Sequence, residues 1–425
     1  PPPPPPPPLF FLMIRRPPRS TLDRASAASD VYKRQVADGV VKHGRKAVQL
    51  GEGLKRVPWS VVTAASLLAA LGLAGISRGD QLVGSGLHFH RQLIWMALAV
   101  PALIMAAWVP YRSLRPASYL LFGVTTVLLL VVFLMPAHHG ARRWIPMGVF
   151  DMQPSELAKL TYILALSHYL MFRRNFRHFL GLFIPFLLTL VPLVLVLKEP
   201  DLGTALLFLP MLFAMLLAAG ARVRHLVLIG MMGVAVTPVL WLGMNVEQKS
   251  RVVSLLPQVE NGPAPRGDGY HLFQSKRMLS LGGTWGSDLA GMPVDDPAAY
   301  HLPAARTDFV FCLIGERFGL IGSLLTLATY AVLIIKGLSI AASTREPFGR
   351  LLATGIVTLL ATQAIINTGM TVGLMPITGM TLPLVSYGGS SLVATAIALG
   401  LLINVAIRPG YEVTAEPFRF AAEAS

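Results

Sequence analysis

A single cysteine, Cys312, stands in 425 residues. That excludes an intrachain disulfide and any cysteine-based zinc site. Cys312 lies inside an apolar run and reads as a small packing residue. Charge is almost as scarce. Asp, Glu, Lys and Arg make up 13% of the chain, against about 25% in a soluble domain. Hydrophobic residues make up 54%, and the mean hydropathy is +0.60. This shortage of charge argues against a soluble globular chain and points to lipid as the main solvent. Acidic residues are the scarcer sign, 21 against 36 basic, for a net charge of +15. The Lys and Arg sit in short gaps between apolar runs, where they set membrane orientation. No basic-aromatic RNA-binding motif or helix-turn-helix pattern occurs, so nucleic acid is not an expected partner. No HExxH or comparable motif organises the 10 histidines. The close pairs His88/His90 and His138/His139 read as interfacial or solvated.

Residues 1–35 open with eight prolines and continue LFFLMIRRPPRSTLDRASAASDVYKRQ. They lack the apolar segment and small-residue cleavage site of a signal peptide. Asp30 to Gln35, DVYKRQ, is what GAT GTG TAT AAG AGA CAG encodes, which resembles the end of a transposon sequencing adapter. The segment is therefore expected to be a translated adapter and is set aside from fold reasoning. Without its six basic and two acidic residues the remainder still carries +11.

Val36 to Arg56 is polar and basic and reads as a cytoplasmic tail. Ten apolar runs follow, at 57–76, 91–109, 117–136, 156–172, 179–197, 202–220, 225–244, 309–335, 351–374 and 386–407. Crossing a bilayer takes about 20 apolar residues. Backbone hydrogen bonding must then close within each segment, which makes the runs helices. The expected fold is an all-α integral membrane protein of about ten transmembrane helices. One alternating set of gaps holds Arg112 and Arg115, Arg173, Arg174 and Arg177, Arg222 and Arg224, Lys336, Arg345 and Arg350. By the positive-inside rule that side is cytoplasmic, with both termini, including the 408–425 tail. The outer set is 77–90, 137–155, 198–201, 245–308 and 375–385. The longest outer gap, 245–308, lies between spans seven and eight, and its PQVENGPAPRGDG stretch is turn-rich and expected to be mobile. Pro185 and Pro192 predict a kinked or broken fifth helix.

Several polar residues interrupt this pattern. Glu156 and Lys159 share one face of the fourth helix, as either a structural ion pair or a functional one. Gln153 and Ser155 lead into them. Asp201, in PDLGT, can cap a helix start or face substrate. Asp308 ends the long outer loop and is either an N-cap or the best-placed general base. Glu316 lies about two turns further on much the same face. The segment 375–392, MPITGMTLPLVSYGGSSL, is too rich in Pro, Gly and Ser for a plain span. It reads as irregular backbone lining a wet cavity, or as a loop turn. Gly388 and Gly389 permit close approach, and Ser390 and Ser391 could meet a phosphate near a helix start.

Taken together, these strings resemble the shape, elongation, division and sporulation family, the RodA/FtsW type. The matching stretches are RRWIPMGVFDMQPSELAKL (142–160), EPDLGTAL (199–206), YHLFQSKRMLSLGG (270–283), RTDFVFCLIGERFGLIG (306–322), NTGMTVGLMPITGMTLPLVSYGGSSL (367–392) and ALGLLINV (398–405). The resemblance implies a peptidoglycan glycosyltransferase that polymerises lipid II at the outer face of the cytoplasmic membrane, beside a class B penicillin-binding protein. It places the family's essential acidic residue on Asp308, Glu156 and Lys159 at the substrate cavity, and a basic loop position on Arg251. Arg142, Arg143, Trp144, Gln153, Ser155, Asp201, Ser386, Gly388, Gly389 and Ser390 complete the expected substrate-binding set. Two positions depart from the family pattern: Ala304 follows Pro303 where the family usually has Glu, and Arg317 follows Glu316 where it often has a second Glu.

On this reading Asp308 takes the proton of an acceptor sugar hydroxyl. The leaving diphosphate is neutralised by Lys159, Arg142 or Arg143, or by a divalent cation such as Mg or Mn. Two rival classes are a transporter of the same lipid-linked sugar and a non-catalytic scaffold of a cell-wall complex. A transporter needs charge near mid-membrane, whereas most candidates here lie at the outer ends. The sequence leaves elongation and division roles equally open.

Overall fold

A computed structural model describes residues 56–84, 86–136, 142–148, 151–172, 179–243, 246–253, 268–291 and 300–410. The adapter-like segment 1–35, the basic stretch 36–55, the turn-rich 257–267 and the tail from 411 lie outside the described residues.

Ten helices occupy the ten apolar runs: α1 (Trp59–Val83), α2 (Leu87–Trp108), α3 (Ser118–Val132), α4 (Pro154–Phe172), α5 (Phe183–Lys198), α6 (Leu202–Ala219), α7 (Val223–Gly243), α11 (Val310–Ser343), α12 (Pro347–Val372) and α13 (Gly389–Ile407). Seven of them, all but α3, α4 and α7, are long and apolar enough to cross a membrane. The chain is a multi-pass, all-α membrane protein. Between α7 and α11 lie α8 (Val246–Val253), α9 (Asp268–Gly282) and α10 (Ser287–Ala290). A short hairpin precedes α4, with β1 (Ile145–Pro146) antiparallel to β2 (Asp151–Met152).

α4 is the central helix. It is buried on nearly every side, from Pro154 to Leu170. Thr161 meets Thr125 of α3 at 2.7 Å and Tyr162 meets Thr189 of α5 at 2.8 Å. Such interhelical hydrogen bonds matter where water is absent. On α1, Gly72, Gly75 and Gly79 form a small-residue stripe that lets Val385, Val310 and Leu313 approach the backbone. α13 packs along α2, and the buried Asn404 donates to the carbonyls of Ala106 at 2.7 Å and of Val109. Those carbonyls lie at the C-terminal end of α2, where no intrahelical donor remains.

The helix ends collect into two polar layers. At one end Tyr111 bonds to Arg408 O, Arg345 N to Pro409 O, and Arg115 pairs with Glu346 at 3.8 Å. At the other end Arg143 bonds to Glu199 O, Ser390 to Asp151 O, and Tyr387 N to Arg306 O.

Three expectations change. α1 runs on to Val83, so Arg78 and Asp80 belong to a helix and not to a gap. The eighth run is interrupted: at Gly319 (φ +67°) α11 breaks, and Leu320 N donates to Gly283 O at 2.9 Å. Residues 283–286 fill the break, leaving 320–343 as the continuous apolar part. Finally, α5 is not broken, since one helix runs from Phe183 to Lys198. Pro185 sits in its first turn, where no N–H is required, and Pro192 lies within it.

The two-layer arrangement predicts sidedness. With Ser250 or Ser343 changed to Cys in intact cells, an impermeant thiol reagent should label the first and spare the second. Cys312 is fully buried and contributes no background. Labelling of both from outside would contradict the ten-helix alternation.

Candidate active site

Asp308 sits at the end of a tight turn. Thr307 N and Asp308 N both donate to Ala304 O, at 3.1 and 3.0 Å, and Ala304 adopts φ +53°. Asp308 O accepts a hydrogen bond from Asn367 Nδ2 at 2.9 Å, and the same amide reaches Met380 O at 2.6 Å. Asn367 is fully buried on α12. It therefore ties the turn before α11 to the irregular 373–388 segment. The N-cap of α11 is Phe309, with no side-chain capping bond. Asp308 does not cap this helix, so the capping reading falls and its carboxylate is left for other work.

That carboxylate is half-buried and lies next to Gly379. Burial pushes its pKa up to about 6. A hydrogen bond from Thr307 and the charges of Arg251 and Arg143 oppose the shift, while Asp201 adds to it. The structure thus brings Asp201, Arg143 and Arg251 within electrostatic reach of Asp308.

Asp201 does cap α6. Its Oδ1 accepts from Thr204 N and its Oδ2 from the Thr204 hydroxyl, both at 3.0 Å. Gln153 Nε2 adds a longer bond to Oδ2 at 3.4 Å. Arg143 donates to the carbonyls of Glu199 (2.8 Å) and Pro200, and so clamps the turn between α5 and α6. Glu199 is buried, and neither carboxyl oxygen has a hydrogen-bond partner among the described residues. Desolvation and the nearby Asp201 push its pKa up to about 8. Arg142 is exposed and donates to Phe133 O at 2.7 Å. Trp144 is half-buried just before β1.

The 386–390 residues fix this layer. Ser390 Oγ donates to Asp151 O at 3.0 Å and accepts from Gln153 N at 3.3 Å, fastening the hairpin to the start of α13. Ser386 Oγ accepts from Leu382 N at 2.8 Å. Gly388 is the N-cap of α13. A Cβ on Gly389 would fall inside the ring of Trp95, and one on Gly203 would sit 2.6 Å from Met380 Cγ. Only glycine lets α13 and α6 approach this closely.

Glu156 and Lys159 form an ion pair at 2.8 Å and are 6% and 2% exposed. Ser155 beside them is buried with its hydroxyl unpartnered among the described residues. Glu316 lies elsewhere. It is fully buried and takes a bidentate pair from Arg78 at 2.9 and 2.7 Å. Arg317, which departs from the family pattern, bonds to Asp288 (2.8 Å), Ala74 O and Ser77. It thereby holds α10 against α1.

A further network was not expected. Arg306 pairs with the buried Asp80 at 3.0 Å, donates to Gly79 O at 3.0 Å and lies 3.2 Å from His88 Nδ1. His88 also faces Asp80 at 3.2 Å and packs edge-on against Tyr387. Arg306 O accepts from Tyr387 N at 2.9 Å. The signal in the sequence is an Arg and an Asp, Arg78 and Asp80, just beyond an apolar run. Among the described residues no group of three or more His, Cys, Asp or Glu can hold a metal ion.

A family model for FtsW, RodA and SpoVE, described as cell cycle protein, matches residues 56–409. The probable peptidoglycan glycosyltransferase FtsW of Geobacter metallireducens is 37% identical over 330 residues, covering 76% of this chain and 86% of that one. A solved structure concerns the structural coordination of polymerization and crosslinking by a peptidoglycan synthase complex. It superimposes with a TM-score of 0.69 at 30% identity, over 82% of this chain and 97% of the other. The rod shape determining protein RodA of Thermus thermophilus superimposes with a TM-score of 0.63 at 28% identity, over 84% and 98%.

Because Asn367 bonds both carbonyls, Asn367→Ala leaves Asp308 O and Met380 O without this donor. Each orphaned buried group costs about 1–3 kcal/mol, so the thermal midpoint in detergent should fall by several degrees. An unchanged midpoint would show that the turn and the 373–388 segment are held by something else.

Proposed function

This chain belongs to the FtsW, RodA and SpoVE family of cell cycle proteins, and from that premise we propose that it polymerises lipid II into glycan strands. On this reading it is a peptidoglycan glycosyltransferase working at the outer face of the cytoplasmic membrane. A class B penicillin-binding protein is its partner and crosslinks the product. The similarity to a peptidoglycan synthase complex supports the partnership.

One observation carries the reading. Asp308 is a half-buried carboxylate raised to about 6, so it is mostly ionised at neutral pH yet basic enough to accept a proton. The acceptor sugar gives its hydroxyl proton to Asp308. The freed oxygen electron pair forms the new bond to the anomeric carbon of the donor. The anomeric carbon–oxygen bond breaks, and its electrons leave on the diphosphate. Attack opposite that leaving group inverts the anomeric centre.

The leaving charge needs fixed cations. Arg143 and Arg251 already act on Asp308, and Arg142 is exposed nearby in sequence. Lys159 lies deeper, paired to Glu156. A buried pair contributes little net stability after desolvation, which favours a role in binding: the diphosphate would compete with Glu156 for the ammonium. Trp144, Gln153, Ser155, Asp201, Ser386, Gly388, Gly389 and Ser390 shape the surrounding wall. Apart from Glu156 and Lys159, these groups gather at one end of the bundle and not at its centre, which supports chemistry there over transport.

Purified protein, with and without a class B penicillin-binding protein, should convert lipid II into glycan strands. The rate should be greatest above about pH 7 and fall about tenfold per unit below about 6, as Asp308 takes up its proton. Arg251→Gln removes a charge that lowers the Asp308 pKa, so the acid limb should move to higher pH. A limb unmoved by that change would contradict the assignment. Lipid II crossing vesicles with no strands formed would favour the transporter.

A further inference from the structure

Four separate pieces of the chain converge on one carboxylate, Asp80. It is 3% exposed and lies in the last turn of α1. Its Oδ1 meets Arg306 Nε at 3.0 Å and lies 3.2 Å from His88 Nδ1, and its Oδ2 accepts from Phe89 N at 2.9 Å. Arg306 belongs to the turn that carries Asp308, and His88 and Phe89 to the first turn of α2. Tyr387 completes the set. It packs edge-on against His88 and donates its N–H to Arg306 O at 2.9 Å.

Arg306 is held along its length. Its guanidinium also donates to Gly79 O at 3.0 Å and stands 3.2 Å from His88 Nδ1. A Cβ on Gly79 would lie 3.0 Å from Arg306 Cγ, so glycine lets the side chain lie along α1. Two residues on, Asn367 holds Asp308 O. The backbone is thus pinned on both sides of Thr307, from α1 and from α12. A buried ion pair contributes little net stability once desolvation is counted. Fold stability alone therefore gives Asp80 and Arg306 little reason to be ionic, whereas fixed geometry does.

We propose that Asp80 is a positioning residue: through Arg306 it fixes the turn that aims the Asp308 carboxylate at the acceptor hydroxyl. The assignment rests on the glycosyltransferase reading above. A shift of about 1 Å at a reacting group can cost about 10²-fold in rate, so a contact remote in sequence can govern turnover. The pair of Arg78 and Glu316 supplies the comparison. It joins the same two helices, α1 and α11, by bonds of 2.9 and 2.7 Å. It lies about two helical turns beyond Asp308, and Arg78 also holds Ser287 of α10 at 2.8 Å. One pair aims the base; the other ties α10 to the bundle.

The test neutralises each pair in the full chain. Removing both partners leaves no unpaired buried charge, so both double variants should fold. In Asp80→Asn with Arg306→Gln, the KM for lipid II should stay at the wild-type value and kcat should fall about ten- to a hundredfold. Burial is what raises the Asp308 pKa, so a loosened turn should also carry the acid limb of the rate to lower pH. A mere loss of folded molecules would lower the rate without moving that limb. Arg78→Gln with Glu316→Gln should keep the wild-type kcat per folded molecule and the wild-type limb. A second readout needs no turnover. Hydrogen exchange at the Thr307 and Asp308 amides, followed by mass spectrometry in lipid nanodiscs, should be faster in the first variant than in wild type or the second. Wild-type exchange in the first variant would overturn the proposal, whatever its rate. So would a wild-type kcat, a change confined to KM, or equal losses in the two variants. Faster exchange as expected, in a chain whose wild type makes no strands, would overturn the glycosyltransferase reading and leave the pinned turn standing.

Discussion

Inside a bilayer a backbone amide or carbonyl without a partner costs several kcal/mol, because no water can replace the missing bond. The rest of this structure depends on that constraint. It turns the apolar runs into helices and leaves the irregular 373–388 segment only one safe place, packed against protein. The Asn367 side chain makes that place habitable: one amide bonds the carbonyls of Asp308 and Met380 and so joins two broken stretches of backbone. Asn404 performs the same service at the opposite end, for the carbonyls of Ala106 and Val109. Each polar layer is closed by a buried asparagine, and the candidate base is mounted on one of them.

The same constraint decides where charge can sit. Arg78 with Glu316, Arg306 with Asp80, and Lys159 with Glu156 are each paired at 3.0 Å or less. Unpaired ions would not survive there. Among the described residues neither carboxyl oxygen of Glu199 has a hydrogen-bond partner, and its raised pKa is how such an acid adapts to burial. Asp308 lies between these cases. Thr307, Arg251 and Arg143 keep it mostly ionised at neutral pH, and burial keeps it basic. A general base needs that intermediate state.

Much of this was legible in the sequence, because hydropathy reports the period and length of helices directly. All ten runs hold helices. Features set by contacts distant in sequence were not legible. The break at Gly319 depends on residues 283–286 filling it, which no local pattern records. The first run was drawn too short because Arg78 and Asp80 look like loop residues until Glu316 and Arg306 are placed opposite them. Asp308 and Asp201 look alike as helix-start acids, yet only Asp201 caps its helix. Arg317 looked like a family position lost, and its bonds to Asp288, Ala74 and Ser77 show a position put to structural use.

The central claim is that Asp308 accepts the proton of the attacking hydroxyl. Asp308→Asn keeps the size of the side chain and its turn, and the loss of a general base typically costs about 10²–10⁴-fold. The direct measurement is glycan-strand synthesis from lipid II by wild type and Asp308→Asn, at equal amounts of folded protein. The account predicts a stable variant with a rate lower by at least about a hundredfold. Equal rates would remove Asp308 from the mechanism.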